Sequence, residues 1–438
     1  MNALLTDLYE LTMSAGYFMA GKTREIATFE LAIRRLPKSR NYVLAAGLAQ
    51  AVAYLQNLSF DEAEIAYLRQ LPQFSNAPAE FFHYLTDFRF TGDLFAVPEG
   101  TPLFAGEPML TVRAPLIEAQ IPETYLLSTL TFQTLIATKA ARIVEVSQGR
   151  DVLEFGTRRA HTPEAGVLGA RAAYIGGCVG TSNTLAGYRF GIPVMGTAAH
   201  AWVMSFPSES EAFRRMQELM GTRTVHLIDT YDWLAGTRKA IQVGAPFWGV
   251  RLDSGNLLTL SREVRGLLDQ GGFPHAKIMA SGDLDEYKIQ QLIRDGAAID
   301  AFGVGTELAT SADAPSMGTI YKMVEIDGEH DGQRARRFTA KQSEDKTSVP
   351  GAKQVFRYAD HDLLTRSTEC AGGALALQQP VMLHGHLIQP LPDVHAARER
   401  ARRMLAELPE TTRGLEVDDG FPVLKSAELE TLIRETLP

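Results

Sequence analysis

The feature that most limits how this chain can fold is a run of short apolar segments between residues 150 and 305, most followed by glycine-bearing turns. Val152–Phe155, Val194–Gly196, Val225–Ile228, Trp248–Leu252, Lys277–Ala280 and Ala301–Val304 read as strands. Amphipathic stretches separate several of them; Leu257, Leu260, Val264 and Leu267 fall on one helical face, and a long helix over Glu123–Glu145 leads into the series. Six strand–helix units in succession predict an α/β fold with a parallel sheet, most economically closed as a β/α barrel. In such folds chemistry gathers just beyond the strand C-termini. The unusual clusters of this region all lie there: Gly156-Thr157-Arg158-Arg159, Gly196 to His200, Arg251 to Gly255, Ser281-Gly282-Asp283, and Gly303 to Thr306.

The flanks read differently. Residues 1–88 are mainly helical, with a helix over Leu8–Ala20 capped by Thr6 or Asp7, an Ala/Leu-rich helix over Val43–Leu55, and a strand at Ala27–Ile33 between them. Leu94–Val97 and Met109–Val112, punctuated by Pro98-Glu99-Gly100 and Gly106-Glu107-Pro108, have the grammar of antiparallel hairpins. Past residue 330 the chain turns basic and loop-rich (Arg334, Arg336, Arg337, Lys341, Lys346, Lys353, Arg357), and its last forty residues hold helical segments. The expected division is therefore 1–120, 121–330 and 331–438.

A net charge of −9, from 43 basic and 52 acidic residues, gives no chain-wide basic footprint for nucleic acid. An anionic ligand must then be held by a few placed arginines, by backbone N–H groups or by a metal. No apolar run is long enough to span a bilayer, no secretory signal opens the chain, and two cysteines make no disulfide scaffold, so a cytoplasmic setting is expected. Metal-ligand spacing is absent, and Gly176 to Gly180 departs from the dinucleotide fingerprint.

Arg251 and Asp253 stand two residues apart, which on an extended segment directs both to one face. A guanidinium grips carboxylate or phosphate through two parallel bonds, and a neighbouring aspartate can orient a hydroxyl or a metal; the plainer alternative is a structural ion pair. Gly282, Gly303 and Gly305 allow backbone to approach a phosphate, although tight strand–helix turns need glycine anyway. Asp283, Asp285 and Glu286 beside Gly282 would repel an anion unless Mg²⁺ lay between. His200, at another strand end, suits a general acid/base or a nucleophile toward a phosphoryl group. Tyr9 and Phe155 are most simply core aromatics, Arg158-Arg159 a solvated surface, and Lys341 and Lys346 part of a polar loop.

Taken in order, Thr6-Asp-Leu-Tyr9, Glu154-Phe-Gly-Thr-Arg-Arg159, Gly180-Thr-Ser-Asn183, Gly196-Thr-Ala-Ala-His200, Arg251-Leu-Asp-Ser-Gly255, Ser281-Gly-Asp283, Phe302-Gly-Val-Gly-Thr306 and Lys341-Gln-Ser343 through Pro350-Gly-Ala-Lys-Gln-Val355 resemble the nicotinate phosphoribosyltransferase family. The resemblance spans residues 6 to about 357. It implies attack of the nicotinate ring nitrogen on C1 of 5-phosphoribosyl-1-pyrophosphate (PRPP), with Mg²⁺ on the departing pyrophosphate and ATP hydrolysis coupled through a phosphorylated histidine, here His200. It further implies an irregular, TIM-like β/α barrel packed with an α/β sandwich domain, and a homodimer with shared sites.

By position, Tyr9 from the neighbouring subunit and Phe155 resemble the aromatic pair that sandwiches the pyridine ring, and Thr197 and Arg251 the contacts to the nicotinate carboxylate. Arg158, Asp253, Gly282, Asp283, Gly305 and Thr306 resemble the ribose and phosphate shell, with Asp253 also a catalytic candidate and Lys322 and Lys341 candidates for the pyrophosphate. Related nicotinamide-using enzymes carry an aspartate in the segment matching Gly180 to Asn183; Ser182 and Asn183 are neutral, which favours the acid over the amide. Val179 stands where family members often carry aspartate. The alternatives are another pyridine phosphoribosyltransferase, acting on nicotinamide or quinolinate, and a non-catalytic barrel that senses nucleotide or PRPP. Quinolinate enzymes are shorter and lack the Gly-Thr-x-x-His cluster.

Overall fold

The structure is a computed structural model and describes residues 3–330, 333–342, 348–417 and 420–437, with the side chains of 329, 330, 333 and 334 excepted. Ser343 and Lys346 lie outside the described residues. The fold is mixed α/β. Six short strands form a parallel sheet in the spatial order Gly180–Thr181, Asp151–Glu154, Ala301–Val304, Lys277–Ala280, Gly249–Leu252 and Val225–Leu227. The last of them in the chain pairs with the first, Ala301 opposite Asp151, so the sheet curls back on itself. Among the described residues it does not close, because Gly180–Thr181 and Val225–Leu227 have no partner on their outer edges beyond one bridge from Thr181 to Val194.

Val194–Gly196 is therefore not a strand, and this corrects the sequence reading. The segment is held to the edge by Met195 N–H donating to Thr181 O and Thr181 N–H donating to Pro193 O, then leaves the sheet. Val43–Leu55 is a second correction. Val43–Leu44 pairs with Pro102–Leu103, and the helix starts only at Leu48. The N–H groups of Leu44 and Ala46 donate to the hydroxyls of Thr138 and Thr134, so bonds from a neighbouring helix hold this stretch extended against its intrinsic helix propensity.

The other large sheet has seven strands, drawn from residues 26–115 and 318–387. Ile26–Arg35 lies inside it, flanked by Pro108–Pro115 and Gly318–His330, both antiparallel. One of its faces buries Ala27, Phe29, Leu31 and Ile33. Glu30, on the opposite face, is 2.6 Å from Lys353, tying this strand to a four-stranded sheet of C-terminal residues. Among the described residues of the basic stretch past 330, Arg334, Arg336, Arg337, Lys353 and Arg357 thus lie in strands rather than loops. Gln333–Phe338 sits at the edge of the seven-stranded sheet, where charge is tolerated and discourages further pairing, and Arg336 bonds Asp327 across the ladder.

Helix Glu123–Val146 runs between these layers, and every residue from Gln133 to Ile143 is buried, Lys139 and Arg142 included. Helix Leu8–Met19 starts at Asp7, but Asp7 makes no side-chain cap; its carboxylate accepts from Thr124, while the Thr6 hydroxyl reaches Glu10 and Ile121 O.

One carboxyl pair joins the hairpin region to the C-terminal sheet. Burial pushes the Glu107 pKa well above its ordinary 4.5, and the adjacent Asp362 carboxylate adds to the effect, while Arg357 and the Phe104 N–H oppose it. Glu107 therefore holds a proton that the unfolded chain releases. Its contribution to stability is fully present below about pH 4.5 and is lost as pH rises through its folded pKa. Glu107→Gln, which supplies an amide N–H to Asp362 at every pH, is expected to match the parent Tm near pH 5 and exceed it by about 1–3 °C near pH 8.5. Parallel Tm curves across that range in calorimetry would refute a shared proton.

Candidate active site

The C-terminal ends of the parallel strands bring three of the sequence-derived clusters into one hydrogen-bonded group, with Phe155 beside it. Arg251, two residues into Gly249–Leu252, is its centre. Its Nε donates to Ser281 Oγ at 2.7 Å, Nη1 to Thr197 Oγ1 at 2.6 Å, and Nη2 to Asp253 Oδ1 at 2.6 Å. Ser281 Oγ donates to the same Asp253 oxygen at 2.5 Å. Partial burial works against the Asp253 carboxylate, but Ser281, Arg251 and His200 outweigh it and hold its pKa below the ordinary aspartate value. The structural ion pair considered from sequence does exist. It uses one of five guanidinium N–H groups, and the fork extends to Thr197 and Ser281 as well.

His200 begins the short helix His200–Met204, beyond the edge where Val194 leaves the sheet. Its Nδ1 lies 3.2 Å from Thr230 Oγ1, just past the Val225–Leu227 strand on the other edge, so the segment from Val194 to His200 crosses the opening in the sheet. Nε2 lies 3.6 Å from Asp253 Oδ2. In the neutral tautomer whose Nδ1–H donates to Thr230, Nε2 carries the lone pair, on a side chain that is 41% exposed.

Phe155 follows Asp151–Glu154 and packs on the Leu153, Met279 and Ala301 cluster, where Val179 also lies. The Arg251 guanidinium is 5.9 Å from its ring centroid. The ring takes this place because Gly303 lies behind it; a Cβ at Gly303 would come within 2.5 Å of Phe155 Cδ2. Phe155 is thus half-buried at the sheet mouth rather than a core aromatic.

The Ser281-Gly282-Asp283 turn wraps the Asp253 backbone. Gly282 has φ +93°, and a Cβ there would stand 2.1 Å from Asp253 O. Asp283 also occupies the left-handed region, at φ +47°, a conformation that aspartate tolerates better than most residues. The acidic residues that seemed to spoil this turn for a phosphate are engaged elsewhere: Asp285 caps helix Glu286–Arg294 by accepting from Lys288 N–H, and Glu286 is buried against Lys139 and Arg142. Asp283 alone stays exposed beside Gly282. Gly305 and Thr306 open the helix after Ala301–Val304, and Arg158 is exposed in the turn after Phe155 without an ion pair among the described residues.

Tyr9, Lys322 and Lys341 do not join this group through any contact of the described residues. Tyr9 is 44% exposed, so it is no core aromatic, and burial together with Glu123 and Glu10 pushes its phenol pKa up. Lys322 pairs with the same Glu123 at 3.7 Å, which places both candidates on one surface of the antiparallel layer. Lys341 is tied through its backbone to Ser348.

Sequence reasoning missed Asp229, Thr230 and the role of Ser281. Asp229 Oδ2 accepts from Asp253 N–H at 2.8 Å and Ser254 Oγ at 2.9 Å, while its buried Oδ1 has no hydrogen-bond partner. The signal was present, since Ile228-Asp229-Thr230 also follows a candidate strand, but it lacks the glycine that marked the other turns. Among the described residues no three His, Cys, Asp or Glu side chains converge on a metal site. Asp229 Oδ1 and Asp253 Oδ2 are hard oxygen donors, the type Mg²⁺ takes one or two of while phosphates and water complete its shell.

Comparison with known proteins places the whole chain. Residues 4–131 match the nicotinate phosphoribosyltransferase (NAPRTase) N-terminal domain, and residues 151–360 match the NAPRTase family. The nicotinate phosphoribosyltransferase pncB2 of Mycobacterium tuberculosis is 41% identical over 432 residues, covering 96% of this chain and 90% of the relative. The nicotinate phosphoribosyltransferase of Bacillus subtilis is 45% identical over 362 residues, covering 81% and 73%. The crystal structure of human nicotinic acid phosphoribosyltransferase superposes with TM-score 0.84 at 27% identity, over 98% of this chain and 99% of that one.

Proposed function

This chain belongs to the nicotinate phosphoribosyltransferase family, and on that premise we propose that the cleft around Arg251 is where nicotinate displaces pyrophosphate from PRPP. The chain is an enzyme of NAD biosynthesis, a phosphoribosyltransferase acting on nicotinate. The observation that carries the assignment of the cleft is the Arg251 fork, fixed by Thr197, Ser281 and Asp253 within reach of an aromatic face. A pyridine ring laid on Phe155 directs its carboxylate to the Arg251 guanidinium and to the Thr197 hydroxyl. Of the two neutral residues in the discriminating turn, Asn183 caps helix Thr184–Phe190 through Oδ1, which leaves the exposed Ser182 to face the ligand.

PRPP then lies along the strand ends. The turns at Gly282-Asp283 and Gly305-Thr306, with Arg158, hold ribose and 5′-phosphate, and Asp253, kept ionised by its neighbours, faces the positive charge that grows on the ribose as the pyrophosphate leaves. Asp229 and Asp253 would hold Mg²⁺, which supplies neutralisation of the departing pyrophosphate. The second aromatic and the pyrophosphate lysines come from another copy of the chain. Leu5, Leu8, Tyr9 and Met13 are exposed near the start of the chain, and Leu185, Tyr188, Val194 and Met195 are exposed beside the sheet opening. Joining these faces in a homodimer covers both and carries Tyr9, Lys322 and Lys341 toward the partner's cleft. In this reading the curled sheet is an irregular β/α barrel, and the antiparallel layers form an α/β sandwich beside it. Among the described residues no helix is long and apolar enough to cross a membrane. The free thiols of Cys178 and Cys370 support a cytoplasmic setting.

His200 couples the transfer to ATP. The Nε2 lone pair attacks the γ-phosphorus, the bond to ADP breaks, and water later releases phosphate from the imidazole. His200→Ala is expected to abolish product-coupled ADP formation and leave a slow, ATP-independent transfer measurable with PRPP, Mg²⁺ and nicotinate. ADP still released in step with nicotinate mononucleotide would refute the phosphohistidine.

A further inference from the structure

Glu154 closes the first parallel strand and is 2% exposed. Its two carboxylate oxygens serve two different loops. Oε1 accepts from Gly156 N–H, the residue just past Phe155, and Oε2 accepts from Thr181 Oγ1 at 2.5 Å. Thr181 Oγ1 in turn accepts from Asn183 N–H at 2.9 Å, so the same hydroxyl shapes the Thr181-Ser182-Asn183 turn. The backbone repeats the link, with Ser182 N–H donating to Glu154 O at 3.0 Å. On the far side, Gly303 leaves room for the Phe155 ring, which a Cβ at that position would displace.

We infer that Glu154 is a positioning residue that fixes the Phe155 platform and the Thr181–Asn183 turn relative to each other, and thereby sets the preference for a pyridine carboxylate over a pyridine carboxamide. The inference rests on the proposed reading of the cleft, in which the ring lies on Phe155 and Ser182 faces its substituent. A group in this position must accept at both ends. A glutamine has one acceptor oxygen, so one of two buried donors would lose its partner and one loop would relax. Relaxation shifts the ring platform against the Arg251 fork, which a carboxylate uses at full strength and a neutral amide does not. Burial keeps Glu154 away from the reacting atoms, so its effect runs through substrate placement.

The test is steady-state kinetics of the full-length protein with PRPP, Mg²⁺, ATP and either nicotinate or nicotinamide. The variants are Glu154→Gln, Thr181→Val and Thr181→Ser, each checked by thermal melting. Glu154→Gln and Thr181→Val are expected to raise the nicotinate KM about tenfold, as loss of one buried hydrogen bond would. The PRPP KM stays within about twofold, and the preference for nicotinate over nicotinamide falls about tenfold. Thr181→Ser, which keeps the hydroxyl, stays near the parent. Thr181→Val carries the test alone if Glu154→Gln does not fold. Unchanged selectivity, or nicotinate and PRPP KM values rising together, would overturn the inference while the cleft assignment stands. A parent protein that does not turn over nicotinate would overturn that assignment and the inference with it.

Discussion

Arg251→Lys is expected to lower kcat/KM for nicotinate by about 100-fold or more, mostly through KM. In the protein the guanidinium reaches Ser281, Thr197, Asp253 and, at 3.4 Å, Ala198 O at once. An ammonium is a point charge with three donors and no fork, so it can hold Asp253 or a carboxylate but not the whole arrangement. Two charge-assisted bonds at roughly 1.5–3 kcal/mol each correspond to that loss. The change also frees Thr197 and Ser281, and Asp253 loses one of the groups that depress its pKa. The acidic limb of the pH–rate profile should therefore move upward, because a carboxylate with a higher pKa is protonated at a higher pH. An unchanged nicotinate KM would place the carboxylate site elsewhere, and an unmoved acidic limb would remove Asp253 from the reaction.

Glu286→Ala is expected to cause the largest loss of stability. Lys139 Nζ lies 2.5 Å from Glu286 Oε2 and 2.8 Å from Asp313, Arg142 Nε lies 3.1 Å from Glu286 Oε1, and Arg40 lies 2.9 Å from Asp313. Lys139, Arg142 and Arg40 are nearly inaccessible and, among the described residues, share these two carboxylates. Without Glu286, Asp313 faces three buried cations, and breaking such a pair on one side costs about 3–5 kcal/mol. Chemical denaturation reads this directly; a loss below about 1 kcal/mol would mean the charges are hydrated and the cluster contributes little. The same cluster lies behind both proposed phosphate turns, since Glu286 starts the helix after Gly282-Asp283 and Asp313 follows Gly305-Thr306. The surviving folded fraction should show a raised PRPP KM.

The parallel half of the fold was legible where a strand is a short apolar run followed by a turn, as five of the six are, whereas Gly180–Thr181 carries no such run; the strand ends then indicated where Arg251, Asp253, Phe155 and Gly282 would meet. What failed to show were features imposed from elsewhere in the molecule. Val43–Leu44 is extended only because Thr134 and Thr138 supply bonds that its own composition does not call for. Val194 makes a single bridge to Thr181 before the segment leaves the sheet, too little pairing for a strand. The basic residues after 330 looked like solvated loop, whereas Arg336 works as an edge-strand partner of Asp327. In the cleft, the family resemblance supplied roles that spacing left open, and spacing could not show that Asn183 would serve as a helix cap or that Glu154 would bind two loops.

The seven-stranded sheet also governs how the chain can be made. Ile26 pairs with Pro115 on one side and with Asp327 on the other. During synthesis from the N-terminus, Ile26–Arg35 can find its first neighbour early, but its other edge stays open until the whole parallel region has emerged. The pairing that completes this layer is among the least local in the molecule, and such contacts form slowly. The early-made half therefore waits with an unprotected strand edge, a natural point for chaperone capture.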